Sequence, residues 1–139
     1  LYVYPGEVDE EDQDQEQTRE TRNRDFIERA AAHLRAGNNL LIAPEGRCSY
    51  TEESPGPFKA GAFRLAAAIE PEPLIVPIAV ANFDKRLTRT TTAAIVYPPL
   101  RLSEQVADPG DREALYEFVN RLQAQYKDYV KQAIALANS

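Results

Sequence analysis

Toward the C-terminal end of the chain, apolar side chains recur at a spacing that suits one regular structure. Leu115, Phe118, Val119, Leu122, Tyr126, Tyr129, Val130 and Ile134 follow one another mostly at three- and four-residue steps. That spacing stacks them on one face of an α-helix. It predicts a C-terminal amphipathic helix over 111–137, with Glu117, Arg121, Lys127, Asp128 and Lys131 on the opposite side. Charges of both signs there favour packing against a sheet over lying on a lipid surface. A second helix is predicted from about Thr21 to 36, because Phe26, Ile27, Ala30, Ala31 and Leu34 share a face and Gly37 follows as a stop. A third, alanine-rich helix over 58–69 is ended by Pro71 and Pro73.

Short apolar runs separate the helices. Leu40-Leu41-Ile42-Ala43 lies between turn-forming residues and reads as a strand buried on both faces. Leu74 to Ala81 reads as another, at an edge or broken at Pro77, since proline has no N–H for a sheet ladder. Thr92 to Tyr97 is a further strand, and Leu1 to Tyr4 a first one, stopped by Pro5-Gly6. Strand, helix, strand is the order of a parallel crossover. The expected fold class is therefore α/β, with a mainly parallel sheet flanked by helices.

Composition narrows the possibilities. A chain of 139 residues is one domain or a large piece of one. Its mean hydropathy is -0.49, and its longest apolar run, Pro73 to Ala81, falls well short of the ~20 residues of a spanning helix. The single cysteine, Cys48, forms no internal disulfide and fits a reducing compartment, so a cytoplasmic location is expected. The single histidine, His33, leaves an all-protein zinc site short of ligands. It sits in the 21–36 helix, where a surface or partly packed role is expected. No metal or cofactor is expected. The net charge of -6 comes from one segment: residues 7 to 16 hold seven acids and no base. The stretch 7–18 reads as a solvated acidic loop. It lacks the glycine and closing glutamate of a calcium loop at the required spacing. No basic stripe stands against these acids, so nucleic acid is not an expected partner.

The segment with chemical potential is Pro44-Glu45-Gly46-Arg47-Cys48-Ser49, directly after the strand ending at Ala43. Ligands of α/β sheets bind beyond the carboxyl ends of strands. Gly46 allows close backbone approach, Arg47 offers a forked cation suited to phosphate, and Lys59 adds a second cation before a helix N-terminus. Glu45 can accept hydrogen bonds from hydroxyls or hold Arg47. A rival reading makes Cys48 a nucleophile activated by Arg47, with only His33 to serve as base.

The order of three blocks adds a resemblance. Ala43-Pro44-Glu45-Gly46-Arg47-Cys48-Ser49, then Gly56-Pro57-Phe58-Lys59-Ala60-Gly61, then Val76-Pro77-Ile78-Ala79-Val80 resemble the glycerolipid acyltransferase family, over about residues 22–82. That family has a Phe-Pro-Glu-Gly-Thr-Arg-Ser motif, a Phe-Lys-x-Gly block and a Val-Pro-Ile-like strand. The resemblance implies transfer of an acyl group from acyl-CoA or acyl carrier protein to a hydroxyl of a glycerol-phosphate or lysophospholipid acceptor. It implies peripheral contact with the cytoplasmic face of a membrane, and no cofactor. It implies a substrate-binding set of Glu45, Gly46, Ser49, Lys59 and Gly61, to which the loop's own chemistry adds Arg47, with Pro77 matching the strand motif.

The departures are as informative. The family's general base is the histidine of a His-x4-Asp motif, but His33 is followed five residues on by Asn38 and lies in the wrong helix. Arg47 stands where the family has threonine, Cys48 where it has arginine, and Tyr2-Val3-Tyr4-Pro5 lacks the arginine of the family's second motif. With no methionine in the chain, the expectation is a single, partial acyltransferase-like domain over 1–139, incomplete at its N-terminus. The catalytic motif then lies upstream of residue 1, and the 139-residue chain alone is inactive. The alternative is a non-catalytic domain of the same kind that binds a phospholipid or a partner.

Overall fold

The computed structural model describes residues 2–3, 13–46, 50–85, 87 and 89–139. The acidic stretch 7–12 and the site candidates Arg47, Cys48 and Ser49 lie outside the described residues. In chain order the elements are β1 (Tyr2–Val3), α1 (Gln13–Arg35), β2 (Leu41–Ile42), a single 3-10 turn (Thr51–Glu53), α2 (Gly61–Ala68), β3 (Ile78–Ala81), β4 (Ala93–Val96), α3 (Leu102–Gln105) and α4 (Arg112–Ala137).

Helix α1 begins at Gln13 and not near Thr21, so residues 13–18 belong to a helix and not to an acidic loop. The reason is local. Gln13 to Glu20 contains neither glycine nor proline, Gln, Glu and Arg are good helix formers, and acids near a helix start complement its dipole. Its end is as predicted. Gly37 takes a left-handed φ of 87°, its N–H donates to Leu34 O at 3.0 Å, and Asn38 N donates to His33 O at 3.2 Å. These two bonds form a Schellman stop. Ala30 and Ala31 face inward, whereas Ile27 is 41% exposed and lies off the buried stripe.

The strands do not form one mainly parallel sheet. β1 and β2 pair in parallel, Tyr2 opposite Leu41 and Val3 opposite Ile42. β3 and β4 form a separate antiparallel pair, Ile78 opposite Val96 through Ala81 opposite Ala93. A parallel return needs a crossover of a dozen or more residues, usually helical, and the chain between Ala81 and Ala93 holds no helix among its described residues. Asn82, at φ 63°, starts the turn instead. Pro77 breaks the strand as its missing N–H requires: its carbonyl accepts from Tyr97 N at 2.9 Å, and pairing resumes only at an Ile75–Leu100 bridge. The strand Leu40–Ala43 was expected to be buried on both faces, but Leu41 is 54% exposed. Among the described residues β2 is covered by α1 and α2 on one side, through Ile42 and Leu40.

Among the described residues the core has three parts, and α2 touches two of them. Phe63 and Ala66 pack with Leu102, Val106, Leu115, Phe118, Val119 and Leu122. Leu65, with Ile69 just past the helix, meets Ala30 and Ala31 of α1. The third part is made of alanines: Ala79, Ala81 and Ala93 lie against Ala133 and Ala137 of α4. α4 buries Leu115, Phe118, Val119, Leu122 and Val130 of the predicted stripe and half-buries Tyr126, Tyr129 and Ile134, with Asp111 as its N-cap accepting from Glu113 N at 3.1 Å. The helix between β4 and α4, α3, had no signal strong enough to predict it.

Tyr126 joins α4 to the outer edge of β3. Its hydroxyl accepts from Ile78 N at 3.1 Å, and its ring meets Phe58 edge-on at 5.2 Å. Burial pushes its pKa up to about 12, against the opposing effect of the Ile78 hydrogen bond. Because the folded value is raised, the contribution to stability is complete below the ordinary tyrosine pKa of about 10 and is lost as pH rises from there through the folded value. An alkaline absorbance titration of the folded protein is expected to show a tyrosine ionising near 12; that step disappears in Tyr126→Phe.

Candidate functional site

The loop from Pro44 to Pro57 leaves β2 and returns to α2, and its two ends are stitched together. Gly46 N donates to Ala43 O at 3.0 Å, closing a turn, and Lys59 N donates to Pro44 O at 2.8 Å. The Glu45 carboxylate accepts from Gly56 N at 2.7 Å. Gln123 of α4 adds a bond from Nε2 to Gly56 O at 3.4 Å. Glu45 therefore works first as an internal clamp on the loop's return.

Gly46 is buried, with φ 71°. A Cβ there would lie 3.0 Å from Lys59 Nζ and 3.1 Å from Cδ and Cε. Lys59 is draped across the glycine backbone, so its ammonium sits where the chain leaves β2. Among the described residues no carboxylate lies within ion-pair distance of that ammonium. The first turn of α2 begins two residues later, with N–H groups not satisfied by its own helix. Cation and helix start together form a site of positive potential.

A cavity of about 440 Å³ opens beside this end of the loop. Pro44 and Glu45 line it together with Ile42, Phe58, Val76 and Phe83, and its walls are mostly hydrocarbon. Leu41, Leu74, Val76, Ile78 and Val80 are all partly exposed, which leaves the hollow open on one side.

The middle of the loop is pinned elsewhere. Thr51 Oγ1 accepts from Asn82 N at 2.8 Å and donates to Asp84 Oδ1 at 2.5 Å. Lys85 Nζ pairs with Glu52 and approaches Asp84 at 3.6 Å. Asp84 is held below the usual aspartate range, chiefly by the Thr51 hydroxyl. Glu52 is lowered and Lys85 raised, each chiefly by the hydrogen bond to the other. Since both carboxylates are depressed, their contribution is complete above the ordinary carboxylate range and is lost as pH falls through the lower folded values.

The structure brings three of the sequence candidates together: Glu45, Gly46 and Lys59. Gly61 opens α2 and is exposed, with open space where a side chain would go. Its glycine identity meets no steric demand there. Arg47 and Ser49 lie outside the described residues, as does Cys48. His33 does not line the cavity; its Nε2 lies 3.1 Å from Asn39 O, beyond the end of its own helix. Sequence reasoning missed Thr51, Asn82 and Asp84, because single polar residues far apart carry no periodic signal; Asn82 at a turn was the one legible hint. Among the described residues no group of histidine, cysteine and carboxylate side chains is placed to hold a metal ion.

With the loop, the cation and the cavity in place, comparison with known families gives a match. Residues 14–81 fit the family model described as Acyltransferase. This segment belongs to the acyltransferase family. The match spans α1, β2, the clamped loop, α2 and β3, the elements that build the site. No curated protein and no solved structure matches the chain. Among the described residues, no helix is long and apolar enough to cross a membrane.

Gly46→Ala forces a side chain into a left-handed backbone position and against Lys59. The variant is expected to lose about 1–2 kcal/mol of stability, measured by urea denaturation; an unchanged midpoint would show that the turn relaxes freely.

Proposed function

We propose that this protein moves an acyl group from acyl-CoA or an acyl carrier protein to a hydroxyl of a glycerol-phosphate or lysophospholipid acceptor. One observation carries the reading: the Lys59 ammonium lies over Gly46, and the adjoining Glu45 lines an apolar cavity. A cation beside a hydrocarbon-walled hollow suits a ligand with an anionic head and an apolar chain. The neighbouring helix start adds to the attraction for phosphate. Membership of the acyltransferase family supports the reaction class.

In that reaction the acceptor hydroxyl oxygen attacks the thioester carbonyl carbon. The carbon–sulfur bond breaks, the thiol leaves, and a base takes the hydroxyl proton. Lys59, with Arg47 and Ser49 as further contacts, holds the acceptor phosphate. Glu45 keeps the loop closed around it. Among the described residues no imidazole lines the cavity; the base that the family resemblance implies is the histidine of a His-x4-Asp motif. Contact with a membrane is then peripheral, at its cytoplasmic face. The second reading is a domain that binds a phospholipid without turning it over. A reading frame without His-x4-Asp upstream of Leu1 would make that account the better one.

Lys59→Ala is expected to weaken glycerol 3-phosphate binding about tenfold, the value of one charge-assisted hydrogen bond. Titration calorimetry checks this, and an unchanged affinity would overturn the placement of the phosphate. The 139-residue chain mixed with acyl-CoA and lysophosphatidate is expected to release no thiol above background; release abolished by Glu45→Ala would locate the catalysis within this chain.

A further inference from the structure

The cavity wall and the polar loop meet at one residue that neither the family match nor the sequence motifs single out. Phe83 lines the cavity together with Pro44 and Glu45, yet its side chain is at the rim, 57% exposed. Here its two chain neighbours are both held by the same hydroxyl. Thr51 Oγ1 accepts from the backbone N–H of Asn82 at 2.8 Å and donates to the carboxylate of Asp84 at 2.5 Å.

Asn82 is fixed from its other side as well. Its Nδ2 donates to Thr91 O at 3.0 Å, and its carbonyl accepts from Thr92 Oγ1 at 3.4 Å. Its backbone is in the left-handed region, φ 63°, and it is 9% exposed. Thr51 itself is 5% exposed, in the 3-10 turn that follows the loop's ligand-facing end. Four bonds, two of them to backbone atoms of Asn82, therefore hold Asn82 and Asp84 on either side of Phe83, the one large apolar side chain of this stretch, which borders the hollow. A hydrogen-bonded clasp that only needed to tether the loop would not require a phenylalanine between its two attachment points.

We propose that Phe83 is a specificity-determining residue that contacts the apolar chain of the bound lipid, and that Thr51 is the positioning residue that fixes it at the cavity rim. This inference rests on the acyltransferase reading above, in which the cavity receives hydrocarbon and the Lys59 end receives phosphate. Ligands then gain affinity with chain length as successive methylenes pass the ring, and the polar loop and the cavity are coupled through one threonine hydroxyl.

The test measures binding by the 139-residue chain of glycerol 3-phosphate, hexanoyl lysophosphatidate and decanoyl lysophosphatidate, each as monomer. Wild type is expected to prefer the decanoyl ligand by tenfold or more, as a few buried methylenes supply. Phe83→Ala is expected to reduce that preference about threefold or more while leaving glycerol 3-phosphate affinity unchanged. Thr51→Val removes the donor to Asp84 and the acceptor for Asn82, and is expected to reduce the preference in the same way; Thr51→Ser restores it. If Phe83→Ala keeps the wild-type chain preference, or lowers the affinity of all three ligands alike, the role of Phe83 is overturned. If Thr51→Val changes only the melting temperature, the clasp is structural and the positioning role is overturned. If wild type binds none of the three ligands, the underlying acyltransferase reading fails first, and this inference with it.

Discussion

Everything at the candidate site depends on one short helix having to satisfy two cores at once. α2 has eight residues, too few to be stable alone, and it is held because Phe63 and Ala66 point to α4 while Leu65 points to α1. The loop that carries Glu45 and Gly46 ends where α2 begins. The bonds Lys59 N to Pro44 O and Gly56 N to Glu45 hold only as long as α2 stays wedged between its two neighbours. Positive potential at the loop is thus a product of packing some distance away, and the hydrocarbon side chains that fix α2 also supply Phe63 and Leu65 to the cavity wall.

This arrangement divides labour between apolar and polar contacts. Apolar packing sets where the elements lie, and a handful of hydrogen bonds set the path of the loop between them. Glu45, Thr51 and Gln123 each spend their polar atoms on backbone or side-chain partners within the protein. The loop is consequently preorganised before any ligand arrives, which reduces the ordering that binding would otherwise require. On the proposed reading, Lys59, whose stem covers Gly46, turns that order into recognition of an anion.

How much of this was legible in the sequence varies by element for physical reasons. α4 was readable in detail because a long helix repeats its apolar signal many times; Leu115, Phe118, Val119, Leu122 and Val130 are buried as the spacing requires. The end of α1 was readable because glycine at a left-handed position is a specific signal. Its start was not, since glutamine and acid runs suit a helix start and a solvated loop equally well. The parallel sheet was misjudged at β3 and β4, whose apolar composition fits either direction; only the missing crossover helix distinguishes them. Glu45, Gly46 and Lys59 were found as a group because motif order brought them together. Thr51, Asn82, Phe83 and Asp84 were not, because their association exists only in three dimensions.

The layer of alanines under α4 has a consequence for how the β3–β4 hairpin keeps its alignment. Ala79, Ala81 and Ala93 leave room for α4 to come down close, with Ala133 completely covered. Sliding one strand by a single residue would turn Ile78 and Val80 into that thin space, and their extra volume would lift the helix away. Sliding further toward the N-terminal side would carry Pro77 deeper into the ladder, where a donor is needed and none exists. Steric volume under the helix and the absent proline hydrogen together act as a ratchet pawl, so the hairpin has one stable alignment although its strands are short and chemically monotonous.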